Sequence, residues 1–238
     1  MVYGDGFGKT FDMKFFLFSE IEFEIQNPPA LIECYCFQTD FFVNFDLLPK
    51  REVKDANEIG AHIQSEPLQK CIPVAKNAKA GIFEWELDEF LDLDNEDISH
   101  YVEEVSEGVI KTLMNIPVIP RIGLSKATKI LHTLYPEIIP MIDNMLQTEY
   151  KRINQEWKKG NPHQILIAYY ENLKIPENRQ QLTQVFDTIS KKGLGRTSEE
   201  EGGLTKLRVF DILWWSYLKA KRVKEEGKKS VNFSMIRW

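Results

Sequence analysis

"IPRIGLSKATKILHTLYPEIIPMID", residues 119–143, is the stretch on which the reading of this chain turns. Two turns punctuated by glycine and proline flank a short helical run, and Asp143 closes the segment. An aspartate there has two readings. It is the N-cap that starts a following helix, "NMLQTEYKRINQEW", or it is a carboxylate placed for chemistry.

Working outward, the two sides of this stretch differ in period. Residues 14–25, "KFFLFSEIEFEI", set Ile21, Phe23 and Ile25 against Glu20, Glu22 and Glu24, the alternation of a strand with one wet face. "LIECYCF" (31–37) and "FFVNFDLL" (41–48) are rich in aromatic and β-branched residues and read as two further strands of an antiparallel sheet. A helix is expected at 53–65, a loop through "EPLQKCIPVAKNAKAG" and another strand at "IFEWEL". From Asp97 the spacing turns helical: "DISHYVEEVSEGVIKTLMNI" carries apolar residues at 98, 102, 105, 109, 110, 113 and 114 behind an acidic cap. Helices are then expected at 143–157, 162–173, 177–191 and 204–226, separated by "KKGNP", "KIPEN" and "KKGLGRTSEEEGG". The expected fold class is α+β: a β-rich part over 1–95, then a helical domain over 96–238.

A chain of 238 residues with 43% apolar and 28% charged residues belongs with ordinary globular proteins and can bury a sizeable core. No apolar run approaches the roughly 20 residues that span a bilayer. "MVYGDGFGKT" lacks the basic-then-apolar order of a signal peptide, so a cytoplasmic location and no membrane partner are expected. Cys34, Cys36 and Cys71 suit neither a disulfide framework nor a zinc site, and Cys34 and Cys36 are expected on one face of a strand. Charge is divided unevenly. Residues 1–107 hold 8 Lys/Arg against 23 Asp/Glu, net −15, whereas residues 108–238 hold 22 against 13, net +9. Such a split points to nucleic acid or membrane contact by the basic half, or to two halves that attract each other internally.

Two local patterns fail on inspection. "GDGFGKT" at 4–10 lacks the first glycine of a phosphate-binding loop, since Tyr3 occupies its place, and has no room for a preceding strand. Asp92, Asp94, Glu96 and Glu103 match calcium-loop positions, but Asp97 stands where the turn glycine belongs. An acidic lead-in to a helix N-terminus explains them better. His62, His100, His132 and His163 are scattered without ligand spacing, so no metal or cofactor is expected.

Residues 116–134 have the order of a helix-hairpin-helix: an apolar helix end, a tight turn carrying Gly123, and a second helix from about Leu124 or Ser125. Such a turn offers backbone N–H groups at a helix N-terminus to a phosphate, with no reading of sequence. Residues 108–136 contain Lys111, Arg121, Lys126 and Lys129 and no acid, as a phosphate-facing surface would.

This stretch resembles the helix-hairpin-helix, Gly/Pro-rich-loop, aspartate motif of the superfamily of base-excision DNA glycosylases. That pattern reads approximately "LPGxGxxTAxxIL", a short loop, then "P-x-h-D" opening the next helix. Here it is matched by Ile119-Pro120, Ile122-Gly123, Ala127, Ile130-Leu131 and Pro140-Met141-Ile142-Asp143, with Arg121 where the family has its first hairpin glycine. The resemblance implies that Asp143 is the essential acid, and that Pro120, Arg121, Gly123, Ser125, Lys126 and Lys129 form the DNA-binding hairpin. Ser125 falls where bifunctional members carry a Schiff-base lysine, which implies a monofunctional enzyme. No iron–sulfur cysteine loop is present.

The chemistry is coherent from below. Cleaving an N-glycosidic bond develops oxocarbenium-like charge, which a fixed carboxylate stabilises, and a base inside a duplex must first be flipped out. Three functional expectations follow: a monofunctional DNA glycosylase, a non-catalytic helix-hairpin-helix module for DNA or RNA, and a protein-interaction domain. In the last, "FDILWWSYL" serves as core or interface, core for most of its aromatics. An open cleft at Asp143 would favour the first; an Asp143 that only caps backbone N–H groups would favour the others.

Overall fold

The computed structural model describes residues 12–18, 20–38, 65–117, 122–158, 160–194, 204–225 and 236–237. The class is α+β, with a small antiparallel sheet and a helical body.

The alternating stretch near the N-terminus is two strands, not one. β1 (Asp12–Leu17) and β2 (Ile21–Gln26) pair antiparallel, Leu17 opposite Ile21 and Asp12 opposite Gln26. The expected alternation holds, with Met13, Phe15, Leu17, Ile21, Phe23 and Ile25 buried. The turn escaped notice because it carries no glycine, asparagine or proline. Phe18 takes the left-handed conformation instead, at φ 54°, and its ring packs on Tyr150 with centroids 4.8 Å apart.

"LIECYCF" is a helix, α1 (Pro28–Gln38), and Cys34 and Cys36 lie on it rather than on a strand. Two prolines open α1 where N–H groups have no helical partner in any case. Asn27, at φ 50°, turns the chain out of β2, and its carbonyl accepts from the N–H groups of Ala30 and Leu31 at 3.0 and 3.2 Å. The strand expected at 41–48 lies outside the described residues, as does the helix expected at 53–65 except for Ser65.

The segment read as a loop is α2 (Ser65–Asn77), which tolerates Pro73 inside it by turning that residue to solvent while Cys71 and Ala75 face the core. "IFEWEL" is likewise not a strand. It forms a 3₁₀ turn (Gly81–Glu84) leading into α3 (Leu87–Asp92), which buries Leu87, Phe90 and Leu91. The third strand is β3 (Ile236–Arg237), placed beside β2 by the far end of the chain.

The helical expectations fare better. Asp94 caps α4 (Asn95–Glu103), accepting from the N–H groups of Glu96 and Asp97 at 2.9 Å each. The rod continues through a π-helical segment (Glu104–Ile110) into α5 (Lys111–Asn115). Then come α6 (Leu124–Leu134), α7 (Asn144–Ile153), α8 (Pro162–Lys174), α9 (Pro176–Ser190) and α10 (Lys206–Glu225). Phe210, Trp214 and Tyr217 of α10 are buried, and Trp215 is half-exposed.

One core cluster joins residues from both sides of position 95, from Phe15 to Leu218. Asn178 on α9 grips the hairpin: its amide accepts from the Phe16 N–H at 2.7 Å and donates to the Phe16 and Asn172 carbonyls at 2.8 Å. Charges of the two halves also meet. Arg179 binds Asp92 at 2.6 Å, Lys206 binds Asp88, Lys192 binds Glu33, and Lys174 reaches the Leu93 carbonyl at 2.7 Å. The split of charge along the chain therefore serves an internal interface, at least at these pairs.

Candidate functional site around Asp143

α6 begins at Gly123, whose backbone is extended (φ −98°, ψ 176°) and whose carbonyl takes the N–H groups of Lys126 and Ala127 at 3.0 Å. Among the described residues, no side chain caps this end. Gly123 is exposed, and Ser125 and Lys126 are half-exposed on the first turn. Pro120 and Arg121 lie outside the described residues. Leu124, Ala127, Ile130 and Leu131 turn the other face of α6 into the core.

The loop from α6 to α7 has a few backbone hydrogen bonds of its own, from Ile138 and Ile139 to Tyr135 and from Asp143 to Met141, and side chains hold the rest. Thr205 Oγ1 donates to the Pro136 carbonyl at 2.9 Å, and Tyr170 Oη donates to that of Ile138 at 2.6 Å. His132 Nδ1 lies 2.6 Å from the Ile139 carbonyl and is therefore the protonated nitrogen. Burial keeps the His132 ring neutral, its pKa lowered to about 3. The Met141 N–H donates to Asp211 Oδ2 at 3.3 Å, the Ile142 N–H to Thr128 Oγ1 at 3.1 Å, and Gln147 Nε2 donates to the Ile142 carbonyl at 3.2 Å. Buried backbone groups require partners, and here α6, α7, α8 and α10 supply them.

At the end of this clamped loop Asp143 stands half-buried as the N-cap of α7, its Oδ1 accepting from the Leu146 N–H at 2.8 Å. The capping role read from the sequence is thus present. Burial pushes the Asp143 carboxyl above the ordinary aspartate range, while the Leu146 and Met145 N–H groups and the charges of Lys129 and Arg208 pull it back. Lys129 is half-buried on α6, and burial lowers its ammonium below the usual lysine value against the opposing pull of Asp143 and Asp211. Lys129 therefore belongs to the surroundings of Asp143, whereas Lys126 stays on the outer turn.

Two residues of this cluster were missed in the sequence. Arg208 and Asp211 are buried on α10, at 6% and 1% exposure. Arg208 Nη1 approaches the Met141 sulfur at 3.6 Å. Asp211 Oδ1 accepts from Tyr169 Oη and from Trp214 Nε1, the latter at 3.2 Å. Burial raises the Asp211 carboxyl to a pKa of about 6 against the charge of Arg208 and these donors. The available signal was a base and an acid three residues apart inside the otherwise apolar "LRVFDILWW", because charges so placed are buried and need partners.

Together Lys129, Asp143, Arg208 and Asp211 make two acids and two bases around one loop, a setting in which carboxylates stay ionisable despite burial. A separate open cleft of about 600 Å³ lies at the other end of α7, between Phe18, Tyr150, Glu156 and Glu171, and does not include Asp143. Among the described residues, no group of His, Cys, Asp and Glu converges as a metal site would, and no helix is long and apolar enough to cross a membrane. No family model matches the chain, and no curated protein or solved structure matches it.

Proposed function

We propose that this chain is a nucleic-acid N-glycosylase of the helix-hairpin-helix kind and a monofunctional one. The uncapped start of α6, with Lys126 beside it, receives a backbone phosphate, and Asp143 stabilises the oxocarbenium-like charge that develops as the base departs. The observation that supports this most is the placement of Asp143. It ends a loop fixed by side chains of four helices, stands half-buried, and has Lys129 and Arg208 to favour its ionised form. A carboxylate that must answer a transient cation needs that combination of fixed position and retained charge. The test is release of free base from a panel of duplexes, each carrying one damaged or mismatched base. Wild-type protein releases base from at least one duplex, and Asp143→Asn abolishes release while binding survives. A wild-type protein inert on the whole panel overturns the proposal.

A second reading is favoured by two observations: Asp143 Oδ1 is engaged in capping α7, and the open cleft of about 600 Å³ lies away from Asp143. On that reading the chain is a non-catalytic module that keeps the α6 start for DNA or RNA. Its binding weakens with added salt and with Lys126→Glu, and indifference to both removes it.

A further inference from the structure

We propose that Asp211 is a positioning residue for Asp143, acting through the backbone N–H and carbonyl of one residue, Met141. The inference rests on the reading of Asp143 as the acting group. The link is short and continuous. Asp211 Oδ2 accepts the Met141 N–H at 3.3 Å, and the Met141 carbonyl accepts the Asp143 N–H at 3.2 Å. The other oxygen of Asp211 is anchored on helices outside the loop, by Tyr169 Oη of α8 and by Trp214 Nε1 of its own α10 at 3.2 Å. A carboxylate in so enclosed a place is a poor choice for stability alone, since an apolar side chain of similar volume is often equal or better there. What it adds is directional: two donors from α8 and α10 fix the carboxylate, so the loop cannot slide along α10 without breaking the Met141 contact.

The neighbouring loop contacts support the same end. Thr128 holds Ile142 on one side and Gln147 holds it on the other, so Met141 is the point where the lever from α10 enters. The charged and titratable groups facing Asp211 are Arg208 of α10, Tyr169 and Tyr170 of α8, and Lys129 of α6. Its protonation, at a pKa of about 6, weakens its hold on the Met141 N–H on the acid side of neutrality.

The experiment compares the full chain with Asp211→Asn by amide hydrogen exchange and by base release. The Leu146 amide, which reports the cap from Asp143, loses protection by roughly tenfold in the variant, while the Val102 amide of α4 keeps its own. In base release kcat falls and KM does not. Should Asp211→Asn fail to fold, Tyr169→Phe removes one anchor of the same carboxylate and shifts Leu146 protection in the same direction by less. Unchanged Leu146 protection in a folded variant overturns the proposal and makes Asp211 a structural group only. A shift at Leu146 in a chain that releases no base from any duplex keeps the positioning link and sinks the glycosylase reading instead.

Discussion

Asp143 can be divided into its two roles by two substitutions. Asparagine keeps an oxygen for the Leu146 N–H, which Asp143 Oδ1 now accepts at 2.8 Å, and ranks with aspartate as an N-cap. Alanine keeps neither cap nor charge. Losing the cap costs about 1 kcal/mol. Losing the charge acts the other way at neutral pH, because burial is the largest influence on this carboxyl and disfavours its ionised form. The favourable pull of Lys129 and Arg208 is lost with it, and half-exposure screens that pull. Asp143→Asn is therefore expected within about 0.5 kcal/mol of wild type at pH 7, with Asp143→Ala lower by about 1 kcal/mol. The sign of the pH dependence follows from the raised pKa. The contribution of Asp143 is full below its unfolded value and is lost as pH rises through the raised folded one, so Asp143→Asn gains on wild type as pH rises above the ordinary aspartate range. Urea unfolding followed by circular dichroism at several pH values measures both effects. Equal destabilisation of about 1 kcal/mol or more in the two variants at pH 7 would make the carboxylate a structural ion partner, and the case for a charge held in place for chemistry would fail.

The Asp211 carboxyl has a pKa of about 6, roughly two units above the unfolded value, which corresponds to about 3 kcal/mol. That stability is present below about pH 4 and is lost as pH rises through 6, so the difference in unfolding free energy between wild type and Asp211→Asn shrinks by this amount across the window. A pH-independent difference contradicts it. Gly81→Ala places a Cβ 2.7 Å from Tyr101 Cε1, and that ring is already packed edge-on against Phe90 and Trp85. A loss of about 1–3 kcal/mol is expected in thermal unfolding, and an unchanged midpoint shows that the ring has room to move.

The helical half was legible because its signals are local. Asp94, Asn161 and Asp143 cap their helices with their own side chains, and Pro162 and Pro176 open helices at the position proline tolerates. The N-terminal half misled because tertiary placement overrode local preference. "LIECYCF" reads as a strand on β-branched and aromatic content, yet Asn27 and two prolines start a helix there, and Leu31 and Ile32 bury into the core. Pro73 hid α2 for a similar reason. At the site, Asp143 stood out because it closes the Pro140-Met141-Ile142-Asp143 run that opens the next helix. Arg208 and Asp211 did not, because they lie 65 or more residues further along and reach the loop only through tertiary contact with Met141.

The acid-free window at 108–136 promised a surface rich in positive charge, and its structure narrows that promise. Lys111 binds Glu107 at 2.6 Å, Lys129 is drawn into the Asp143 cluster, and Arg121 lies outside the described residues. Lys126 is the described cation of the window that remains half-exposed beside the uncapped start of α6. Any phosphate held there is held chiefly by backbone N–H groups, which are fixed in direction by the helix and, being neutral, displace few counterions from the nucleic acid. Association with nucleic acid should then depend on salt through about one or two neutralised phosphates, a slope of about −1 to −2 in log K against log salt. Lys126→Glu should remove about one unit of that slope. A steep slope of about −5 or more would require a wide basic surface elsewhere on the chain, and the start of α6 would then not be the principal point of contact.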